Sequence, residues 1–164
     1  MKKQVILSQN DIENKIERIA FQILETFNEE ELVLAGISKN GYILATLLAE
    51  KCSKISDVSI ILCEITIDKR NPNFEIQTSL PIYEYQNKNI VLVDDVLNTG
   101  STLIYGVKHF LEAPVKKIKT AVLVDRNHKN FPIKVDFKGI SLSTSLQEHV
   151  FVSLKTEKMY AELS

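Results

Sequence analysis

Residues 89–102, NIVLVDDVLNTGST, constrain this chain more than any other stretch. Residues 90–93 form an unbroken apolar run, which suits a strand buried on both faces of a parallel sheet. Asp94 and Asp95 follow, where the pattern predicts the strand to end. Next come the small residues Asn98, Thr99, Gly100, Ser101 and Thr102, after which Leu103, Val107, Phe110 and Leu111 recur at helical spacing. A strand thus hands two acids and a tight loop to the mouth of a helix.

That order of parts suits a sugar phosphate. Amides at a helix N-terminus are unpaired, and the helix dipole adds about half a positive charge there. Gly100 lets backbone approach a phosphate closely, while Thr99, Ser101 and Thr102 add hydroxyl donors. Asp94 and Asp95 are acceptors that can take ribose hydroxyls or help hold a hydrated magnesium ion. In open α/β sheets ligands bind at this carboxyl end of the strands.

The segment VLVDDVLNTGST resembles the phosphoribosyl pyrophosphate (PRPP) signature of type I phosphoribosyltransferases. That pattern is roughly four apolar residues, two acids, two apolar residues, any residue, then Thr-Gly-any-Thr, and the match is free of gaps. A plain buried strand ending in an acidic turn accounts for the apolar run and Thr99. It does not account for two adjacent acids together with the full small-residue loop. The resemblance implies an α/β chain with the type I phosphoribosyltransferase fold: a mostly parallel twisted sheet flanked by helices, with a small hood and a flexible loop. At 164 residues the chain is read as one such domain over residues 1–164, large enough for a sizeable core.

Upstream, Ser8 with Asp11 reads as a helix start, and Ile12, Ile16, Ile19, Ile23, Leu24 and Phe27 hold one helical face. Residues 32–37, LVLAGI, form the next buried strand, followed by Ser38, Lys39, Asn40 and Gly41 and a second helix. The segment GISKNGYILATLLAE resembles the pyrophosphate loop of the family, and most of all that of the uracil phosphoribosyltransferases of the pyrimidine-operon attenuator type. Those usually carry Arg just before the loop glycine. Here Asn40 stands in its place and Lys39 is the only cation, a point charge without the fork of a guanidinium. Without the resemblance, the same residues read as a helix N-terminus with an exposed lysine.

Residues 58–67 form a β-branched strand, and residues 68–81 the longest loop-like stretch. Residues 75–83 are expected to form a hairpin at its base. EITIDKR resembles the family's mobile loop, which implies that Arg70, or Lys69, reaches pyrophosphate when the loop closes; each also reads as an ordinary charged turn residue. Residues 117–124 form another buried strand, and after it VDRNHKNFPIKVDFKGISLSTSLQEHVFVSL keeps the order and spacing of the attenuator-type enzymes over about thirty residues. The resemblance puts Phe137 over the nucleobase and Arg126 on pyrophosphate or the base loop. Read alone, Phe137 is a core residue and Arg126 a surface ion pair. His128 reads as a loop hydrogen-bond partner.

The resemblance then assigns the residues. Asp94, Asp95 and Arg70 carry catalysis, and Asp94 and Asp95 are the magnesium candidates, partly through PRPP. PRPP falls to Lys39, Asn40, Gly41, Asp94, Asp95, Val96, Leu97, Asn98, Thr99, Gly100, Ser101 and Thr102, and the base to Asn98, Arg126 and Phe137. The reaction is phosphoribosyl transfer from PRPP to a nucleobase with Mg2+, uracil before a purine. The 6-oxopurine enzymes place Asp at the position of Asn98, and an amide can neither take up a proton nor carry charge. An attenuator-type regulator that binds messenger RNA is the rival from another class. A net charge of −1 gives no global attraction to nucleic acid or an anionic membrane. No apolar run approaches the roughly 20 residues of a membrane span. Cys52 and Cys63 lie outside metal-ligand spacing and read as buried thiols in a reducing compartment. The N-terminal apolar patch is too short for a secretory signal. A cytoplasmic homo-oligomer is expected.

Overall fold

The computed structural model describes residues 3–164. Helix α1 (Gln9–Phe27) begins where its own side chains start it. The Ser8 hydroxyl accepts from the Asp11 amide and the Asp11 carboxylate accepts from the Ser8 amide, a complete capping box. The helix stops at Asn28, which adopts the left-handed conformation at φ 50°. Its stripe of Ile12, Ile16, Ile19, Ile23, Leu24 and Phe27 is buried.

The apolar runs become a six-stranded sheet. Strands β2 (Leu32–Ile37), β3 (Ile60–Thr66), β5 (Asn89–Leu97), β6 (Lys117–Asp125) and β7 (Phe137–Ser141) pair in parallel in the order β3-β2-β5-β6-β7. The two-residue strand β4 (Gln77–Thr78) closes the β3 edge antiparallel. Alternate residues of each strand feed two cores, as the pleat requires. Leu34, Val91, Val93 and Leu123 pack with α1 and α2 (Asn40–Ile55). Val33, Ile90, Leu92 and Val122 pack on the other face with Leu103 and Phe110 of α4 (Ser101–Phe110), and with Tyr85 of the one-turn helix α3 (Ile82–Tyr85). The chain leaves β2 through α2 toward one side of the sheet and leaves β5 through α4 toward the other. Its strand order reverses between β2 and β5, and that is where such sheets open a crevice.

A second, three-stranded antiparallel sheet is built from both ends of the chain, in the order β1 (Gln4–Leu7), β9 (Lys158–Leu163), β8 (Val150–Lys155). Leu7, Val152, Leu154, Met159 and Ala161 join the core that holds α1 and α2. This sheet is the hood. Its strand β8 was legible as a β run. Strands β1 and β9 were not, because one is four residues long and the other follows a tight Thr156-Glu157 turn with no glycine or asparagine.

Two expectations are corrected. Strand β5 does not end before the acids: Asp94 and Asp95 are strand residues, with Asp94 opposite Val122 in the ladder. Residues 75–83 form no hairpin of their own. Residues 77–78 pair back onto β3, and Pro81, with φ −70° and no N–H to donate, starts the turn of α3 instead.

Helix α2 sits close to β5 because Gly41 has no side chain: a Cβ there would lie 2.6 Å from the Val93 carbonyl oxygen and 3.1 Å from the Asp94 Cα. Gly41→Ala is expected to destabilise the fold by about 1–3 kcal/mol through overpacking, read as a lower urea midpoint. An unchanged midpoint would contradict this packing.

Candidate functional site

Four connections converge at the carboxyl ends of the parallel strands. Residues 38–40 follow β2, residues 67–70 follow β3, residues 98–102 follow β5, and Arg126 follows β6. Asp94 and Asp95 sit among them at the end of the central strand. Successive strand residues face opposite sides of a sheet, and the two carboxylates share Lys69 but otherwise find different partners. Asp94 is 3% exposed, and its two oxygens lie 3.2 and 3.4 Å from Lys69 Nζ. Asp95 Oδ2 accepts from Asn40 Nδ2 at 2.9 Å, and Lys69 Nζ lies 3.9 Å from its other oxygen. Each carboxylate also accepts from the next backbone amide, Asp95 N to Asp94 and Val96 N to Asp95, both at 2.9 Å.

Burial pushes the Asp94 carboxyl up to about 7. The Lys69 ammonium opposes that shift, and the neighbouring Asp95 adds to it. Among the described residues no group of three or more His, Cys, Asp or Glu gathers to hold a metal. A pair of carboxylates does fit magnesium, which takes one or two protein carboxylates and completes its shell with phosphate oxygens and water.

Helices α2 and α4 open onto this crevice, and neither has a side-chain cap. The helix remote from it, α1, has a full capping box. The Ser101 amide donates to Thr99 Oγ1 at 3.3 Å; the other first amides of α2 and α4 are left to a ligand or to water. Gly100 turns the chain into α4 with φ 84°, a left-handed conformation that strains any residue with a Cβ. The loop after β6 packs over this turn: Asn130 and Phe131 amides donate to the Thr99 carbonyl, at 2.8 and 3.2 Å. A small cavity of about 50 Å³ is lined by Lys69, Asp94 and the residues of the 96–103 turn.

The sequence-predicted residues divide into those that gather here and those that do not. Asp94, Asp95, Val96, Leu97, Asn98, Thr99, Gly100, Ser101 and Thr102 lie together, with Asn40 and Gly41 alongside. Lys39 is exposed at the start of α2. Asn40, at the position where the resemblance led to an arginine, ties the floor to the hood: its amide donates to Asp95 and, at 3.0 Å, to the Val152 carbonyl of β8. Arg70 is exposed, and its backbone amide donates to Asp68, so the neighbouring Lys69 is the cation that reaches the acids. Phe137 is 6% exposed and packs in the α1–α2 core, which is the reading it had without the resemblance.

Arg126 is also placed differently from a ligand contact. It is 7% exposed and donates to Asn98 Oδ1, Thr144 Oγ1 and the carbonyls of Ser145 and Glu148. His128 Nε2 bonds the Thr144 carbonyl. These two side chains pin residues 144–148, which explains why Asp-Arg, His and Thr-Ser occur together along thirty residues. Sequence reasoning missed Lys69 as the partner of Asp94; its signal was the choice already left open between Lys69 and Arg70.

Comparison with known proteins follows the same lines. The phosphoribosyl transferase domain family matches residues 4–155. The Bifunctional protein PyrR of Macrococcus caseolyticus is 32% identical over 94% of this chain and 93% of its own length. That of Fusobacterium nucleatum is 33% identical over the same shares. Among solved structures, a hypoxanthine phosphoribosyltransferase of Trypanosoma cruzi superposes with TM-score 0.79 at 16% identity, covering 96% of this chain and 95% of that one. A hypoxanthine-guanine phosphoribosyltransferase of Bacillus anthracis gives 0.74 at 18% identity, covering 88% and 86%. At these identities the solved structures establish the fold alone, and that fold is the type I phosphoribosyltransferase fold.

The buried acid has a measurable consequence. An unfolded aspartate titrates near 4, so the folded-state value of about 7 is raised. A raised carboxyl contributes stability at low pH that is lost as pH rises through about 7. Asp94→Asn removes that penalty. It is expected to melt several degrees above the native chain at pH 8, with the gap narrowing at pH 5. A variant that melts at or below the native chain at pH 8 would contradict the cost assigned to this carboxylate.

Proposed function

Because the chain belongs to the phosphoribosyl transferase domain family and is thus a pentosyltransferase by kind, we propose that it transfers phosphoribose from PRPP to uracil, releasing pyrophosphate. One observation carries this reading. Two uncapped helix N-termini flank a pair of adjacent carboxylates at the reversal point of the sheet. PRPP has two anionic ends and a diol between them, and the crevice offers two amide-lined anion seats with acceptors between them.

In the transfer, the bond from ribose C1′ to the pyrophosphate oxygen breaks, a bond from C1′ to a ring nitrogen forms, and the base loses its N–H proton. The chain positions the reactants and neutralises charge, with no covalent intermediate of its own. The α4 amides with Thr99, Ser101 and Thr102 hold the 5′-phosphate. Asp94 and Asp95 accept from the ribose hydroxyls, and Asn40 keeps Asp95 turned toward them. Lys69 leaves Asp94 as the hydroxyls arrive and becomes free, with Arg70, to meet pyrophosphate when the 68–76 loop closes. Lys39 and the first amides of α2 hold the pyrophosphate from the other side. Magnesium, held by Asp94 and Asp95 together with pyrophosphate oxygens, would neutralise the leaving group.

The name of the PyrR relatives describes them as bifunctional, and that supports a second reading in which this chain also binds messenger RNA. A filter-binding titration tests it: submicromolar affinity that falls steeply with salt supports RNA binding, and no retention removes it.

The activity is tested by pyrophosphate release from PRPP and magnesium, with uracil, hypoxanthine, guanine and adenine offered separately. Release with uracil alone is expected. Release with a purine would overturn the base assignment, and no release with any of the four bases would overturn the activity. Asp95→Asn is expected to abolish turnover while the melting temperature stays close to that of the native chain. Activity near the native rate would overturn the ribose assignment.

A further inference from the structure

The pair Asn98–Arg126 sets the hydrogen-bonding polarity of the crevice. A guanidinium carries five N–H donors and no acceptor. Arg126 Nη1 donates to Asn98 Oδ1 at 2.8 Å. The opposite amide orientation would press two donors together, so the oxygen of Asn98 must face Arg126. Arg126 cannot swing away, because Thr144, Ser145 and Glu148 accept from its other nitrogens and the side chain is buried. Asn98 itself is exposed and lines the same cavity as Lys69, Asp94 and the 99–102 turn. No described residue accepts from its Nδ2. A free amide could pair with a donor or an acceptor; this one shows the crevice only donors.

We propose that Arg126 is a positioning residue that fixes Asn98 as a donor, so that the site accepts bases with a carbonyl oxygen opposite Asn98 and rejects bases with an amino group there. This rests on the proposed phosphoribosyl transfer and on the placement of the base at Asn98 that the family resemblance implies, and it adds a rule of selection. An amino group opposite Asn98 sets donor against donor and strands both away from water, a loss that amounts to about tenfold or more in affinity. Aspartate at position 98 inverts the rule: one oxygen pairs with Arg126 and the other faces the base as an acceptor.

The test is calorimetric titration of the full chain with the 5′-monophosphates of uridine, cytidine and isocytidine. Cytidine carries an amino group in place of the 4-oxygen, isocytidine in place of the 2-oxygen. The native chain is expected to bind the uridine nucleotide at least about tenfold more tightly than one of the two amino nucleotides. Asn98→Asp is expected to reverse that preference for the same pair, an inversion that mere loss of structure cannot produce. Arg126→Gln, whose amide can present either group, is expected to shrink the ratio to about threefold or less in protein that still melts cooperatively. Equal binding of all three by the native chain, binding of none, or an Asn98→Asp variant with the native preference would overturn the proposal. The titration needs no turnover. A chain that binds with the expected ratio yet releases no pyrophosphate with any base would refute the activity and leave the donor assignment standing.

Discussion

Two neighbouring carboxylates at the end of a buried central strand are the constraint to which the surrounding structure answers. Asp94 is almost wholly withdrawn from water, and an ionised carboxylate there is unfavourable unless charge and hydrogen bonds compensate it. The compensation for the pair comes from three separate parts of the chain. For Asp94 the loop after β3 sends in Lys69 and the strand turns back the Asp95 amide; for its neighbour Asp95 the start of α2 sends in Asn40 and the strand turns back the Val96 amide. Asn40 then reaches the Val152 carbonyl of the hood. The acids thereby connect the loop after β3, the sheet and the hood, and a ligand that satisfies them competes with contacts from all three.

The parts of this arrangement that were legible in sequence are those carried by short-range pattern. The run before Asp94, the small-residue turn, the stripe of α1 and its Ser8–Asp11 start are all local, and each appears where the pattern puts it. What could not be read depends on contacts between distant residues. The hood joins residues 4–7 to residues 158–163, which no local window sees. Phe137 lies in a motif of recognisable spacing, yet its ring is claimed by the core because strand β7 turns it toward α1. Arg126 reads in sequence as a charge at a strand end. Only the return of residues 144–148 over it shows that its donors are occupied within the protein.

The same contrast bears on the departure at position 40. From sequence, asparagine in place of arginine reads as a lost pyrophosphate contact. In the structure the amide is short enough to bridge Asp95 and the Val152 carbonyl at once. The pyrophosphate side of the crevice then relies on Lys39, the uncapped start of α2 and the cations of the 68–76 loop. Of these, Lys69 stands on Asp94. On the proposed reading one lysine serves two anions in turn: it neutralises the buried acid before substrate enters and the leaving group afterwards.

The most direct test of this account is the crystal structure of the chain with PRPP and magnesium. The account predicts ribose hydroxyls on Asp94 and Asp95, the 5′-phosphate at the first amides of α4, and Lys69 displaced from Asp94. PRPP bound elsewhere, or seated in the crevice with Lys69 still paired to Asp94 and the acids untouched by ribose, would contradict it.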